Sequence, residues 1–216
     1  MSALRVGFCV SGGGALFRAA VLHAEELQIV PALLVLEQKA SSSLEAFCGE
    51  HSVPVVRISY AKRAEADRML TETCINANLG LLCLTFDKLI PAELVDHYSS
   101  RIINVHPGLL PAFPGMRAIP QALEHGARFL GATIHEVDQH IDHGPVIMQC
   151  VQGICENDTA ETAGARLFNS IRLMYLQTIA WYVEDRVYKD ERGRIRIKDA
   201  RYGDFPISPT VERSFV

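Results

Sequence analysis

Three polar residues, Asn104, His106 and Asp142, stand in settings that suit catalysis. Asn104 and His106 close an apolar run, Arg-Ile-Ile-Asn-Val-His, which predicts a buried strand presenting an amide and an imidazole at its far end. Asp142 lies beside a glycine turn, in the stretch Ile-Asp-His-Gly-Pro. An amide donor, an imidazole and a carboxylate are the groups needed to take a tetrahedral oxyanion through acyl transfer.

Three loops are expected to bring such groups together. Prolines at three positions after His106 exclude regular structure and indicate a rigid loop over residues 106–115. The segments 11–14 and 85–90 also leave predicted strands. Because ligands of an open α/β sheet bind at the carboxyl ends of its strands, we expect these loops to line one cleft.

The elements that position these loops follow a strand–helix alternation. Apolar runs predict strands at residues 4–10, 30–36, 53–58, 79–86, 102–105 and 145–155, and helical patterns occupy 15–27, 42–51, 61–78, 91–98 and about 158–187. Asp158 is the predicted N-cap of the last helix, with Glu161 three residues on. The alternation predicts an α/β fold with a doubly wound, mostly parallel sheet and flanking helices. The charged tail after Tyr188, with its Arg-Ile-Arg-Ile alternation, predicts a hairpin or extended segment with little chemistry.

Composition limits the classes of function. The chain has 216 residues, enough for one ordinary domain or two small ones, and with 49% of them hydrophobic it can bury a sizeable core. A formal net charge of −4 gives no basic surface for nucleic acid. The six cysteines form no Cys-x-x-Cys pair, which favours free thiols in a reducing compartment. No signal-peptide pattern and no apolar run of membrane-spanning length is present, so we expect a cytoplasmic protein without a membrane partner.

The ordered motifs resemble those of the folate-dependent formyltransferases. The resemblance rests on Asn104-Val-His106-Pro followed by Leu-Leu-Pro, and on Gly-Ala-Thr-Ile-His135 followed by Ile-Asp142-x-Gly-Pro. It is dense over residues 80–150 and looser from 4 to about 190. That family includes glycinamide ribonucleotide, methionyl-tRNA and sugar-nucleotide formyltransferases as well as formyltetrahydrofolate deformylase. The resemblance implies a Rossmann-like formyltransferase fold, and it identifies the family better than the acceptor.

The proposed catalytic set is Asn104, His106 and Asp142. A protonated His106 and the Asn104 amide can donate to the developing oxyanion, and Asp142 can keep His106 cationic and pass on a proton from the attacking amine. The alternative is that Asn104 caps a loop and His106 is a structural histidine. An isolated Asn-x-His pair favours this alternative, whereas the surrounding match favours catalysis.

His135 has a counterpart in the family near the reaction centre, which implies a supporting role, although a core histidine is the alternative. A competing hypothesis treats His135, His140 and His143 as zinc ligands. The last two lie in a polar turn and no cysteine supplies a fourth ligand. We therefore predict no metal.

The segment 84–91, Leu-Thr-Phe-Asp-Lys-Leu-Ile-Pro, follows an apolar strand. In the family the matching loop wraps the pteridine of the folate, which implies an apolar wall from Phe86, Leu89 and Ile90. Lys88 stands where many members have arginine. A plain strand-to-helix loop is the alternative on local evidence.

Gly12, Gly13 and Gly14 open the first predicted helix, and their N–H groups are candidates for binding a phosphate on the acceptor. A simple strand-to-helix turn is the alternative. The glycinamide ribonucleotide enzymes carry Ser-Asn next, where this chain has Ala15 and Leu16.

A second departure lies further along the chain. Those enzymes carry His-Glu where this chain has Ile119 and Pro120. Relative to them, this chain therefore lacks two hydroxyl or amide donors for the ribose phosphate of the acceptor. Arg18 or Arg117 is a candidate substitute, because guanidinium suits phosphate or carboxylate, and a solvated surface charge is the alternative.

Together these observations predict a catalytic domain over residues 1–190 and a C-terminal extension over 191–216, packed on the domain or trailing from it. The resemblance implies an N-formyltransferase that uses 10-formyltetrahydrofolate and a small amine: glycinamide ribonucleotide, an amino sugar nucleotide or a hydroxylated amino acid. The alternatives are a deformylase, whose usual N-terminal regulatory domain has no room here, and a catalytically silent folate- or phospho-ligand-binding module. Monomer and homodimer both stay open.

Overall fold

The protein is described here by a computed structural model covering residues 3–203 and 205–215. Its chain divides into two compact units, residues 1–104 and 105–216. The first unit contains β1 (Leu4–Val10), α1 (Ala15–Leu22), α2 (Ala24–Leu27), β2 (Ile29–Glu37), α3 (Ser43–Glu50), β3 (Val55–Ile58), α4 (Arg63–Asn76), β4 (Leu81–Thr85), α5 (Ala92–His97) and most of β5 (Ile102–His106).

All strand pairs of the first unit are parallel, in the order β3-β2-β1-β4-β5. Its central strands are buried almost throughout, as the continuous apolar runs predicted. The predicted α/β fold with a mostly parallel sheet is therefore confirmed. The predicted helix over 15–27 is divided at His23, where the backbone leaves helical geometry.

The second unit adds antiparallel pairing. It contains α6 (Ala118–Glu124), β6 (Phe129–Glu136), β7 (Val146–Gly153), α7 (Ala160–Val183), β8 (Val187–Lys189), β9 (Ile195–Ile197) and β10 (Ile207–Ser208). Strand β7 pairs antiparallel with both β6 and β10. The register between β6 and β7 shifts between Ile134 and His135, which marks a β-bulge at the end of β6.

The N-cap predicted for the last helix was wrong by one residue. Thr159, not Asp158, caps α7: its hydroxyl accepts from the Thr162 N–H, and the Thr162 hydroxyl accepts from the Thr159 N–H. Asp158 instead accepts from the Cys155 N–H at 2.7 Å and forms a two-pronged ion pair with Arg166. Its side chain is thus used to close the turn before the helix.

The C-terminal tail packs on the second unit. Strands β8 and β9 form the predicted antiparallel hairpin, and β10 adds to the edge of β7. Arg186 pairs with both carboxylate oxygens of Glu212, at 2.6 and 2.8 Å. The Glu212 N–H donates to the buried Gln177 side chain on α7. Among the described residues, no helix combines the length and apolar character needed to cross a bilayer.

Candidate active site

The end of β5 and the loop after β6 bring an imidazole and a carboxylate together. His106 is the last residue of β5 and is 4% exposed. Its Nδ1 lies 3.3 Å from Oδ2 of Asp142. Asn104 lies two residues earlier on the same strand, so its side chain emerges on the same face of β5 as that of His106.

The other ring nitrogen of His106 faces a carbonyl group. Its Nε2 lies 2.8 Å from the Phe113 oxygen. Because a carbonyl oxygen can only accept, Nε2 carries a proton. Nδ1, on the other side of the ring, is directed at the Asp142 carboxylate.

Asp142 is fixed by its backbone as well as by its neighbours. It has a φ of 53°, in the left-handed region that few residues other than glycine adopt. Its Oδ2 also accepts from the Gly115 N–H at 2.8 Å. The segment from Phe113 to Gly115 therefore binds both members of the pair, His106 through a carbonyl group and Asp142 through an amide.

His135 meets Asp142 from the other side. It lies at the β-bulge of β6, and its Nε2 is 3.7 Å from Asp142 Oδ1. Its Nδ1 lies 2.7 Å from the Glu136 carbonyl oxygen, so Nδ1 carries the proton and Nε2 is left as an acceptor. Burial lowers the pKa of His135, outweighing the hydrogen bond to Glu136 and the charge of Asp142, both of which raise it. Burial thus favours the neutral form of this second imidazole.

A buried hydrogen-bond network holds the loop after His106. The Thr133 hydroxyl donates to the Gly108 carbonyl and accepts from the Leu110 N–H. Gln149 donates to the Leu110 carbonyl and to Thr133, at 2.9 and 3.0 Å. Sequence reasoning assigned Thr133 and Gln149 no role. The available signal was a polar residue inside each of two mostly apolar strands.

Two glycines are required by close approach. A Cβ on Gly108 would lie 2.6 Å from His106 Nε2. A Cβ on Gly144 would lie 1.7 Å from the Glu136 carbonyl oxygen, which accepts from His135. Side chains at these positions would displace the two imidazoles.

The predicted folate loop lies in the first unit. Phe86 packs edge-to-face against Tyr60, Leu89 is 52% exposed, and Ile90 is half-buried. These side chains fit an apolar wall. The Lys88 ammonium lies 2.9 Å from Asp87 and 3.9 Å from the buried Glu37 carboxylate. Its charge is thus balanced within the unit.

The glycine turn is open at Gly12 and Gly13, but Leu16 and Arg18 beyond it are engaged within the unit. Gly14 has a φ of 70° and precedes α1, while a Cβ on Gly12 or Gly13 would touch nothing within 4 Å. Leu16 is buried in the core of the unit. Arg18 donates to the Ser43 backbone and hydroxyl and stacks over a phenylalanine ring, so its guanidinium is already engaged.

The second acceptor-side segment is also apolar for a structural reason. Ile119 packs against a buried cluster formed by Ala122, Leu130 and Ala163. Arg117 is the N-cap of α6, with left-handed backbone geometry, and pairs with Glu124 at 3.2 Å, with both side chains largely exposed. Such a pair is weak, so the Arg117 guanidinium can change partners.

The histidines of the zinc hypothesis do not converge. His135 is buried against Asp142, whereas the His140 side chain is 77% exposed. Across residues 3–203 and 205–215, no group of three or more His, Cys, Asp or Glu side chains is arranged to hold a metal ion. A cavity of about 380 Å³ in the first unit is lined by α4, Pro91 and Glu93 and by none of the predicted site residues.

Comparison with known proteins agrees with this architecture. The sequence model of a family described as "Formyl transferase" matches residues 4–179. Phosphoribosylglycinamide formyltransferase of Bacillus subtilis is 36% identical over 73% of this chain and 83% of its own length. The chloroplastic enzyme of that name from Vigna unguiculata is 32% identical over 82% of this chain, which spans 60% of that relative.

Solved structures show the same fold. Glycinamide ribonucleotide transformylase 1 of Symbiobacterium toebii superposes with a TM-score of 0.84 and 30% identity, covering 92% of this chain and 95% of its own. A formyltetrahydrofolate deformylase from Pseudomonas syringae, at 24% identity and a TM-score of 0.80, covers 91% of this chain and 66% of its own and shares the fold. A mostly parallel α/β sheet of this kind is the architecture of the folate-dependent formyltransferases. The chain belongs to the formyl transferase family.

Proposed function

We propose that this chain transfers the formyl group of 10-formyltetrahydrofolate to the nitrogen of a small amine. The observation that carries the proposal is the His106–Asp142 pair, 3.3 Å apart and nearly buried at the end of a strand, in a member of this family. Such a pair supplies a proton donor and a proton acceptor to one reacting centre.

The proposed reaction begins when the amine nitrogen attacks the formyl carbon and the carbonyl electron pair moves to oxygen. The Asn104 amide and the Nε2 proton of His106 donate to that oxyanion. In this structure the Nε2 proton is bound by the Phe113 carbonyl oxygen, and the formyl oxygen takes the place of that carbonyl. Preorganised donors of this kind lower the barrier because they need no reorientation during reaction.

Asp142 completes the proton transfers. Its carboxylate accepts the proton of the attacking amine, and that proton then passes to the N10 of the folate as the bond from N10 to carbon breaks. The products are an N-formyl amine and tetrahydrofolate, and Asp142 returns to its carboxylate. His135 supports this cycle as a neutral acceptor 3.7 Å from Asp142 Oδ1.

We further propose that Phe86, Leu89 and Ile90 form the apolar wall of the folate site. Lys88 is proposed to shape that loop, since its ammonium already pairs with Asp87 and Glu37. Gly12, Gly13, Gly14 and Arg117 are the proposed acceptor-binding groups. The open space in front of Gly12 and Gly13 supports their part in this role.

The acceptor is proposed only as a class, a small amine. The named relatives act on phosphoribosylglycinamide, but Leu16 and Ile119 serve the core here and offer no polar group. The test is release of tetrahydrofolate from 10-formyltetrahydrofolate, measured with each candidate amine and with none. Turnover that depends on an amine supports transfer, whereas equal rates without amine would identify a deformylase.

We also propose that the protein is cytoplasmic and forms a homodimer. The cysteines within the described residues support a reducing compartment: they form no disulfide with one another, and of the six Cys155 is the exposed one. Fractionation of cells and sedimentation of the purified protein would test the two proposals.

A further inference from the structure

Glu136 is a buried acid directly after His135. It is 3% exposed, which is costly for a carboxylate unless it is paired. Its Oε2 lies 2.7 Å from the Lys189 Nζ, and the Tyr182 hydroxyl donates to its Oε1 at 3.2 Å. Lys189 ends β8, beyond the residues 4–179 that the family shares.

The Glu136 backbone joins the two parts of the site. Its carbonyl oxygen accepts from His135 Nδ1 at 2.7 Å, and its N–H donates to the Pro145 carbonyl at 3.0 Å. Gly144 packs against the same carbonyl so closely that a Cβ there would lie 1.7 Å away. The backbone of Glu136 therefore fixes the His135 ring through its carbonyl group and the base of the loop that carries Asp142 through its N–H group.

We propose that Lys189, in the C-terminal tail, is a positioning residue for the active site. It holds the Glu136 carboxylate in place, so the Glu136 carbonyl stays aligned with His135 Nδ1 and the loop bearing Asp142 keeps its base. The inference rests on the proposed function for its kinetic consequence. It replaces the expectation that the tail contributes little to the chemistry.

The physical reason is the cost of an unpaired buried charge. The Lys189 side chain is 40% exposed, whereas the Glu136 carboxylate is buried. Without Lys189, that carboxylate keeps only the Tyr182 hydroxyl among these two partners, so it is driven to turn towards water. This change moves the Glu136 backbone. His135 then loses the acceptor that selects its Nδ1–H form, and Asp142 loses its alignment.

The kinetic test compares three variants of the Lys189–Glu136 pair with a control variant outside the pair. Lys189→Met should lower kcat about tenfold, because small misplacements of reacting groups are costly, while KM for 10-formyltetrahydrofolate changes less than about twofold. Lys189→Arg keeps the charge, and Glu136→Gln with Lys189→Met removes both charges. Each should recover kcat to within about threefold of the original, because neither leaves a buried charge unpaired.

Arg194→Met is the matched control. Arg194 pairs with Asp190 at 2.8 Å inside the same hairpin, whereas the Glu136 carboxylate is bound by Lys189 and Tyr182. It should leave kcat unchanged. An equal loss in Arg194→Met, or no recovery in the double variant, would show general loosening of the tail and overturn the proposal.

A measurement independent of turnover is ¹⁵N NMR of the His135 ring, assigned with a His135→Gln variant. The original protein should show the Nδ1–H form, and Lys189→Met should show a mixture of forms. An unchanged ring signal together with unchanged kcat would overturn the inference. Absence of transfer to any amine would instead overturn the proposed function, and the NMR result would still decide the role of Lys189.

Discussion

Asp142 lies between two imidazoles that present different ring nitrogens to it. Its Oδ2 lies 3.3 Å from Nδ1 of His106, and its Oδ1 lies 3.7 Å from Nε2 of His135. The opposite nitrogen of each ring is bound by a backbone carbonyl oxygen, that of Phe113 or of Glu136. Both oxygens of the carboxylate therefore face a group that can exchange a proton with it, which suits a residue that must take a proton from an amine and then release it.

At His106 and Asp142 we predict a loss of rate rather than of folate binding. His106→Ala or Asp142→Asn should lower kcat roughly 10²–10³-fold, because both groups act mainly on the transition state. Calorimetric titration with a folate analogue beside steady-state rates will separate the two effects. His140→Ala, at a largely exposed position, is the control. Equal losses in binding and rate would indicate a structural role.

At His135 we predict a pH-dependent contribution to stability. Its pKa is lowered in the fold by burial, so the unfolded chain binds a proton at higher pH than the folded chain does. The contribution is fully present above the ordinary value of 6.5 and is lost as pH falls through the folded value. Urea unfolding at pH 7.5 and pH 5.5 should show a smaller loss for His135→Gln than for the original. An identical loss would mean that His135 is not buried as a neutral ring.

The sequence alone was sufficient to identify candidate site residues where the adjacent residues in the chain form a recognisable pattern. His106 follows an apolar run, and Asp142 precedes a glycine turn, so both were visible as chemical groups. Lys189 and Gln149 were not, because their partners Glu136 and Leu110 lie far away in sequence and no local periodicity links them. Hydrogen bonds between distant strands require the fold before they can be identified.

At the scale of elements, we predict that the N-cap of α7 contributes to stability; the structure places this cap at Thr159, where the sequence predicted Asp158. Thr159→Ala should lower the free energy of unfolding by about 1 kcal/mol, because the first-turn N–H of Thr162 loses its acceptor. Urea unfolding will measure the change, with Glu161→Gln in the exposed first turn as the control. If both variants unfold alike, the hydroxyl pair at the start of α7 does not stabilise the helix.

The central strands were predicted well because parallel strands buried on both faces give unbroken apolar runs. Helix α6 was not predicted, since its N-cap, Arg117, has left-handed geometry and Pro120 lies in its first turn. The break at His23 was also missed, because the apolar pattern continues through it. Backbone geometry at single residues decided these cases.

At the scale of the whole molecule, we predict that glycinamide ribonucleotide is not the best acceptor. Each lost hydrogen bond to a charged group costs about 1.5–3 kcal/mol, or tenfold or more in affinity. No side-chain donor for the ribose phosphate comes from Ala15, Leu16, Ile119 or Pro120. The Arg18 guanidinium already donates to Ser43. The amine panel should therefore show a better substrate.

The Bacillus subtilis relative, assayed beside this chain, is the positive control for that comparison. A kcat/KM for glycinamide ribonucleotide near or above about 10⁴ M⁻¹s⁻¹, within the ordinary range of enzymes, would contradict the prediction. In that case Arg117, whose pairing with Glu124 is weak, would be the first candidate for the missing contact.

The single tryptophan of the chain, Trp181, lies fully buried on α7. One turn earlier on the same face, Gln177 receives the N–H groups of Glu212 and Arg213 from the tail. All indole emission of the protein thus comes from the helix on which the tail rests. If the tail detaches and water reaches the indole, the emission will shift to longer wavelength before any substrate is added. The protein therefore carries its own optical marker of tail docking, which can be read without an enzymatic assay.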